Sequence, residues 1–322
     1  MKGFKNMLYV IEPGVTQQTN LARAVSLAEN NQARLTLIDV LPNVSNGLAV
    51  VSGRTEAERV QAALLAERTK RLESLCAPYR QRLEMGREVV MGKRFLEVIR
   101  TVLRGGYDLV IKPVENPSWT QRLFGSDDMH LLRKCPVPVW LMRPEEKSNY
   151  ECIVAAVDFD PQDPLTVQQG LTREILDLAS GLALSDFADL HLVHAWDAPE
   201  AEFVELWSDT PEAASSGLLD GEYLRHQRGM ELLREQLEEQ LGRDSYDYLT
   251  PHFHMLRGTA TTVIPELARQ LHADLVVMGT VGRSGTRGLL MGNTAESILE
   301  QLQCSVLAIK PQGFVSPVTL EA

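Results

Sequence analysis

Residues 276–297 read VVMGTVGRSGTRGLLMGNTAES. An apolar run with the look of a buried strand enters a glycine-rich loop, which leaves into a helical pattern. Two residues separate Gly279 from Gly282, and nine separate Gly282 from Gly292. Glycines placed this way let the backbone approach a ligand closely with its N–H groups turned inward. A helix opening at Gly292-Asn293-Thr294 would present its first N–H groups, which attract phosphate. Asn293 or Thr294 can cap that helix or bond a phosphate oxygen. Arg283 and Arg287 add positive charge. The loop therefore either wraps an anion or only turns, and the spacing alone is a weak signal.

Other candidates for chemistry are poorer. His252 and His254 alternate on one short strand and share a face, which suggests a metal pair. No third ligand sits at metal spacing along the chain, so both read as scaffold residues and no metal is expected. His191 and His194 lie three apart and fall on opposite strand faces. Ser284 and Thr286 have no nearby His or Asp arrangement, so no nucleophile is supported. The four cysteines, Cys76, Cys135, Cys152 and Cys304, form no CxxC and read as free thiols of a reducing compartment.

The elements that must position the loop come in duplicate. YDLVIKP (107–113) matches ADLVVMG (273–279) at an offset of 166, and at the same offset Gly92 matches Gly258. FGSDDMHLLRKCPVPVWLMRP (124–144) matches MGNTAESILEQLQCSVLAIKP (291–311) at 167. KNMLYVIEP (5–13) pairs with ECIVAAVDF (151–159), and ARLTLIDVL (33–41) with ADLHLVHAW (188–196). Correspondences in one order at nearly constant spacing mean an internal duplication.

Each half reads as five short Val/Ile/Leu-rich strands alternating with helical patterns such as 21–30, 56–83 and 221–241. Strands with little polar alternation are buried on both faces of a parallel sheet. The fold class is therefore α/β, with two tandem doubly wound, Rossmann-like five-stranded parallel-sheet domains. The boundary falls in RPEEKSNYEC (143–152), giving domains 1–148 and 149–322. Residues 197–220 read as a flexible insertion. In such a sheet, ligands sit beyond the carboxyl ends of the strands where the strand order reverses. If the first strand of the second half lies beside the fourth, Asp158 and Gly279 face each other there.

Composition narrows the classes. Hydrophobic residues at 44% and charged residues at 23% are ordinary for packed domains. No apolar run reaches the ~20 residues of a membrane span, and MKGFKNMLYVIEPG makes no convincing signal peptide. A cytoplasmic protein is expected. The net charge is −11, with 22 Lys and Arg against 16 Asp and Glu in residues 1–148 and 10 against 27 in the remainder. Opposite fields favour packing of the halves. No basic run with interleaved aromatics supports nucleic acid, and the acidic half repels it.

With its G-2x-G-9x-G loop, the strand before it, the helix after it and Asp158, the chain resembles the universal stress protein family. Two copies in one chain resemble its tandem type, over essentially the whole length. The resemblance implies ATP, with Mg²⁺ as companion ion, in the second half. By position, Asp158 would contact the adenine or ribose side, and Val193 and Met278 would line the adenine pocket. Gly279, Gly282 and Gly292 would hold the phosphates, with Arg283, Asn293 and Thr294 beside them. Where the family has Ser or Thr directly after the last glycine, this chain has Asn293, with Thr294 one position late. In the first half Pro113 stands for Gly279, Asn116 for Gly282, Lys112 for Met278 and Glu12 for Asp158, so that half reads as having lost the site. Only Gly125-Ser126 survives, and Trp119 and Phe124 in that loop read as packing. The family also implies pairing through the last strands, VPVWLMR and SVLAIKP, met within one chain or in a homodimer.

Three functions follow: a nucleotide-binding stress or regulatory protein, a slow ATPase, and a binder of an apolar or amphipathic ligand. In the third, Leu218, Leu219 and Tyr223 would close over a cavity. The first is the expected one, without a strong catalytic role.

Overall fold

The computed structural model describes residues 3–42, 54–114, 127–144, 146–163, 170–198, 211–281 and 291–320. They form two compact units, one built on Gly3–Asn149 and the other on the residues between 150 and 312. The first unit runs β1 (Asn6–Val10), α1 (Gln18–Asn31), β2 (Arg34–Leu41), α2 (Arg54–Cys76), β3 (Met85–Met91), α3 (Arg94–Gly105), β4 (Leu109–Pro113), α4 (Asp127–Lys134) and β5 (Val139–Met142). The second runs β6 (Cys152–Ala156), α5 (Leu171–Asp186), β7 (Asp189–Trp196), α6 (Pro211–Leu241), α7 (Arg243–Leu249), β8 (His252–Arg257), α8 (Ala260–Gln270), β9 (Leu275–Gly279), α9 (Asn293–Leu299) and β10 (Ser305–Ile309). Among the described residues no helix is long and apolar enough to cross a membrane.

Both units carry the same parallel sheet, β3-β2-β1-β4-β5 in one and β8-β7-β6-β9-β10 in the other. The first strand of each lies beside its fourth, and the strand order reverses there. The central strands are buried beyond their first residues, as their continuous apolar runs require: Met7 to Val10 in β1 and Ile153 to Ala156 in β6.

The repeat signals have structural reasons. Asp108 accepts backbone N–H bonds from Lys5 and Asn6 at 2.6 and 3.0 Å. Asp274 accepts them from Glu151 and Cys152 at 2.7 and 3.2 Å. Each aspartate thus clamps the start of its unit's first strand to the start of the fourth. Gly92 and Gly258 turn from the third strand into the next helix at φ +152° and +133°, a region L side chains rarely adopt. Their N–H groups reach Leu41 O at 2.9 Å and Trp196 O at 2.8 Å, equivalent positions of the two repeats. Replacing Asp274 with alanine is expected to lower stability by about 1–2 kcal/mol, because two bonds to a charged acceptor are lost at a partly exposed site. Urea denaturation of Asp274→Ala beside Asp108→Ala checks this, and a midpoint unchanged in both would remove the clamp.

Two helices differ from expectation. The pattern 56–83 breaks at Cys76 into a 3-10 turn, Ala77–Tyr79, because Pro78 cannot continue the helix. The expected flexible insertion is corrected over 211–220, where α6 already runs from Pro211, a residue favoured at a helix's first position. Residues 199–210 lie outside the described residues.

Candidate functional site

The reversal point of the second unit lies between β6 and β9. Ala156 ends β6, with Met278 of β9 on one side in register and Val193 of β7 on the other. Met278 and Val193 are buried, forming the row immediately beneath the strand ends. Val193 has no exposed surface, so a base resting on it requires its covering side chains to move. Beyond the strand end, the Val157 N–H bonds Val193 O at 3.0 Å. Asp158 then emerges exposed, while its carbonyl accepts the Thr172 hydroxyl at 3.0 Å.

Across the reversal point, Gly279 ends β9. A Cβ there would lie 2.4 Å from Leu171 Cδ2, at the start of α5, so close packing of that side chain by itself favours glycine. Buried Thr280 follows, its N–H on Ile309 O at 3.1 Å, and its own carbonyl accepts the Gly292 N–H at 2.9 Å. That last bond ties the two feet of the loop together and brings Gly279 and Gly292 to the same place. Gly292, with extended backbone at φ −66° and ψ 141°, is the N-cap of α9, and no side chain bonds the cap. This corrects the expected capping role of Asn293 and Thr294. Both are exposed residues of the first helical turn. Gly282, Arg283, Ser284, Thr286 and Arg287 lie outside the described residues, so the structure brings together Asp158, Gly279, Gly292, Asn293 and Thr294 from the expected set.

The same point of the first unit is filled by charge. Glu12, just past β1, is fully buried. Its carboxylate meets Lys112 Nζ at 2.5 Å and Arg94 Nη1 at 2.7 Å. Lys112 also meets Asp128 Oδ1 at 2.6 Å, and Arg94 lies 3.8 Å from Asp127. Burial by itself would lower the Lys112 pKa, but Asp128 and Glu12 outweigh it and hold the ammonium above its ordinary range. Protein side chains thus supply, in this unit, both the anion and the cation. Asn116, Trp119, Phe124, Gly125 and Ser126 lie outside the described residues.

The two faces of β7 diverge as alternation requires. His194 is buried toward α6, stacked on Phe159 with ring centroids 3.9 Å apart. Its Nδ1 lies 3.3 Å from Val157 O and its Nε2 2.8 Å from His226 Nδ1. A carbonyl only accepts, so His194 Nδ1 carries the proton and Nε2 accepts from His226. Leu218 and Leu219 of α6, with Met255, pack on Trp196 and Ala198, and Tyr223 meets the Trp196 ring edge-on at 6.0 Å. The leucines expected to close over a cavity are therefore engaged with protein. On the opposite face, His191 shares a surface with His252 and His254. Burial, then His252 and His254, push its pKa down to about 4. Spacing along the chain does not disclose this cross-strand partner, because His191 lies 61 and 63 residues before His252 and His254. Aligning DLHLVHAW with HFHMLR as neighbouring parallel strands exposes it.

The match to the universal stress protein family covers residues 3–143 and, in a second copy, 149–310. The chain belongs to the universal stress protein family. It is 29% identical over 329 residues to universal stress protein E of Salmonella typhi, covering 100% of this chain and 99% of that one. It is 29% identical over 316 residues to the universal stress protein E homolog of Haemophilus influenzae, covering 96% and 98%. Among solved structures, a putative universal stress protein from Pseudomonas aeruginosa UCBPP-PA14 superposes with a TM-score of 0.66 at 25% identity, covering 96% and 94%. The similarity therefore runs across both copies and over nearly the whole length of these relatives.

Proposed function

We propose that this tandem universal stress protein is a stress-response regulator whose second unit binds ATP, the first serving as a site-less partner. The observation that carries the reading is the asymmetry of the two reversal points. In the first, Glu12, Lys112 and Asp128 satisfy one another in the space a nucleotide would need. In the second, Met278 replaces the lysine, Asp158 is exposed, and Gly292 is drawn to the end of β9 by the Thr280 bond. In this reading the phosphates lie along the loop from Gly279 to Gly292, beside Arg283, Asn293 and Thr294, with Asp158 toward the ribose or adenine. Met278 and Val193 form the floor beneath the base. Mg²⁺ would accompany the phosphates. Asp158 is the one carboxylate of this set near the loop, so occupancy rather than turnover is the proposed output.

Calorimetry with Mg²⁺ and ATP on the full chain tests this. The expected result is one saturable site per chain, lost in Gly282→Val/Gly292→Val and retained in Glu12→Gln. A tenfold loss of affinity corresponds to about 1.4 kcal/mol, and two side chains in the phosphate path should exceed it. Absence of heat from the parent, or binding that survives the double variant with its melting curve intact, would reject the assignment.

A further inference from the structure

We propose that His191, His252 and His254 form a site for one imidazole-preferring divalent transition-metal ion, of the class of Zn²⁺, Co²⁺ or Ni²⁺. Parallel pairing of β7 and β8 sets His191 opposite His252 and Val193 opposite His254, so His254 is the diagonal neighbour of His191 on the same face. The three rings already touch. His191 stacks on His252 with centroids 4.7 Å apart and on His254 at 5.2 Å. His191 Nδ1 and His254 Nε2 are 2.9 Å apart, one nitrogen donating its proton to the other. Two imidazole nitrogens bound at ~2.0–2.1 Å to one tetrahedral ion stand about 3.3–3.4 Å apart. Replacing that proton by a metal ion therefore asks for a widening of a few tenths of an ångström and for both rings to turn until their nitrogen lone pairs converge on one point.

His252 is exposed and can turn from its stack to supply the third nitrogen, leaving a fourth position for water. Among the described residues no three such side chains already surround a metal-sized point, so this ring rotation is part of binding. The backbone ladder holds the three Cβ atoms in place, so ring torsions are the freedom that binding must restrict. Asp189, two residues before His191 on the same face, adds a negative field that favours a cation. His194 and His226 take no part, because they lie on the other face of β7.

The experiment is a titration of the tag-free full chain with Co²⁺, read by visible absorption and followed by displacement with Zn²⁺. One equivalent is expected to bind without a thiolate charge-transfer band, which separates the histidines from the four cysteines. His191→Asn and His254→Asn should each weaken binding at least tenfold, His252→Asn should weaken it measurably, and His272→Asn, an exposed histidine on a loop, should leave it unchanged. If a substitution at half-buried His191 or His254 prevents folding, exposed His252 still gives a readable answer. No stoichiometric binding by the parent, a thiolate band, or affinity unchanged by the strand substitutions would overturn the site.

Discussion

Lys112→Met is expected to destabilise the first unit by about 3–5 kcal/mol, the usual cost of removing one partner from a buried ion pair. The substitution installs the residue that the second repeat carries at this position, Met278, so side-chain size and backbone fit are not at issue. What fails is compensation. Glu12 and Lys112 are almost wholly removed from solvent, and the ammonium stands 2.5 and 2.6 Å from the carboxylates of Glu12 and Asp128. Without it, two carboxylates remain close together, with Arg94 the cation that still faces Glu12. At least one carboxylate must then take up a proton or draw in water.

Lys112→Met/Glu12→Gln should therefore be more stable than Lys112→Met alone, because replacing a buried pair together avoids the uncompensated charge. Urea unfolding of the two variants and Glu12→Gln closes the cycle. A single-variant loss below about 1 kcal/mol would mean that the network is solvated and does not hold the unit together. The nucleotide stoichiometry is a separate readout. It should not rise in either variant, because Pro113 offers no N–H where Gly279 does.

This network also marks the limit of what the chain discloses by itself. The alternation of strands and helices and the duplication were legible because each depends on local regularities: short apolar runs, an aspartate before the fourth strand, a glycine after the third. The strand order entered as a condition, and pairing of the first strand with the fourth is a feature of the folded sheet. Asp108 and Asp274 carry that information in backbone hydrogen bonds that any copy of the fold must make. Pro113 and Lys112 set the first repeat apart from the second, but the network that stands there could not be read from them. Glu12, Arg94, Lys112 and Asp128 come from four different segments, and only the folded sheet brings them together. The cross-strand histidines escaped for the same reason. Gly279 was open to two readings, since glycine after a strand suits both a phosphate and the close approach of Leu171. Pro211 looked like a loop residue, although proline is also at home in the first turn of a helix.

The second large effect concerns the residue after Asp158. Phe159→Ala is expected to cost about 3–5 kcal/mol, the range for truncating a fully buried phenylalanine. Its ring stacks on His194 and lies against α6, where Gly229 leaves it room. A Cβ at Gly229 would come within 2.1 Å of Phe159 Cε2, so the helix approaches the ring through the glycine's missing side chain. Gly229→Val should accordingly destabilise by about 1–3 kcal/mol through overpacking.

The two substitutions relieve each other, because one empties the space that the other invades. The double variant should therefore be more stable than the sum of the singles by about 1 kcal/mol or more, the range of coupling between residues in contact. Denaturation of all four proteins measures the coupling, and strict additivity would show that α6 moves freely over the ring. The contact also bears on the site. Phe159 anchors the chain one residue past Asp158, and Thr172 holds the Asp158 carbonyl from α5. On the proposed function, loss of the ring should weaken ATP binding in the second unit even where Asp158 and every glycine are intact.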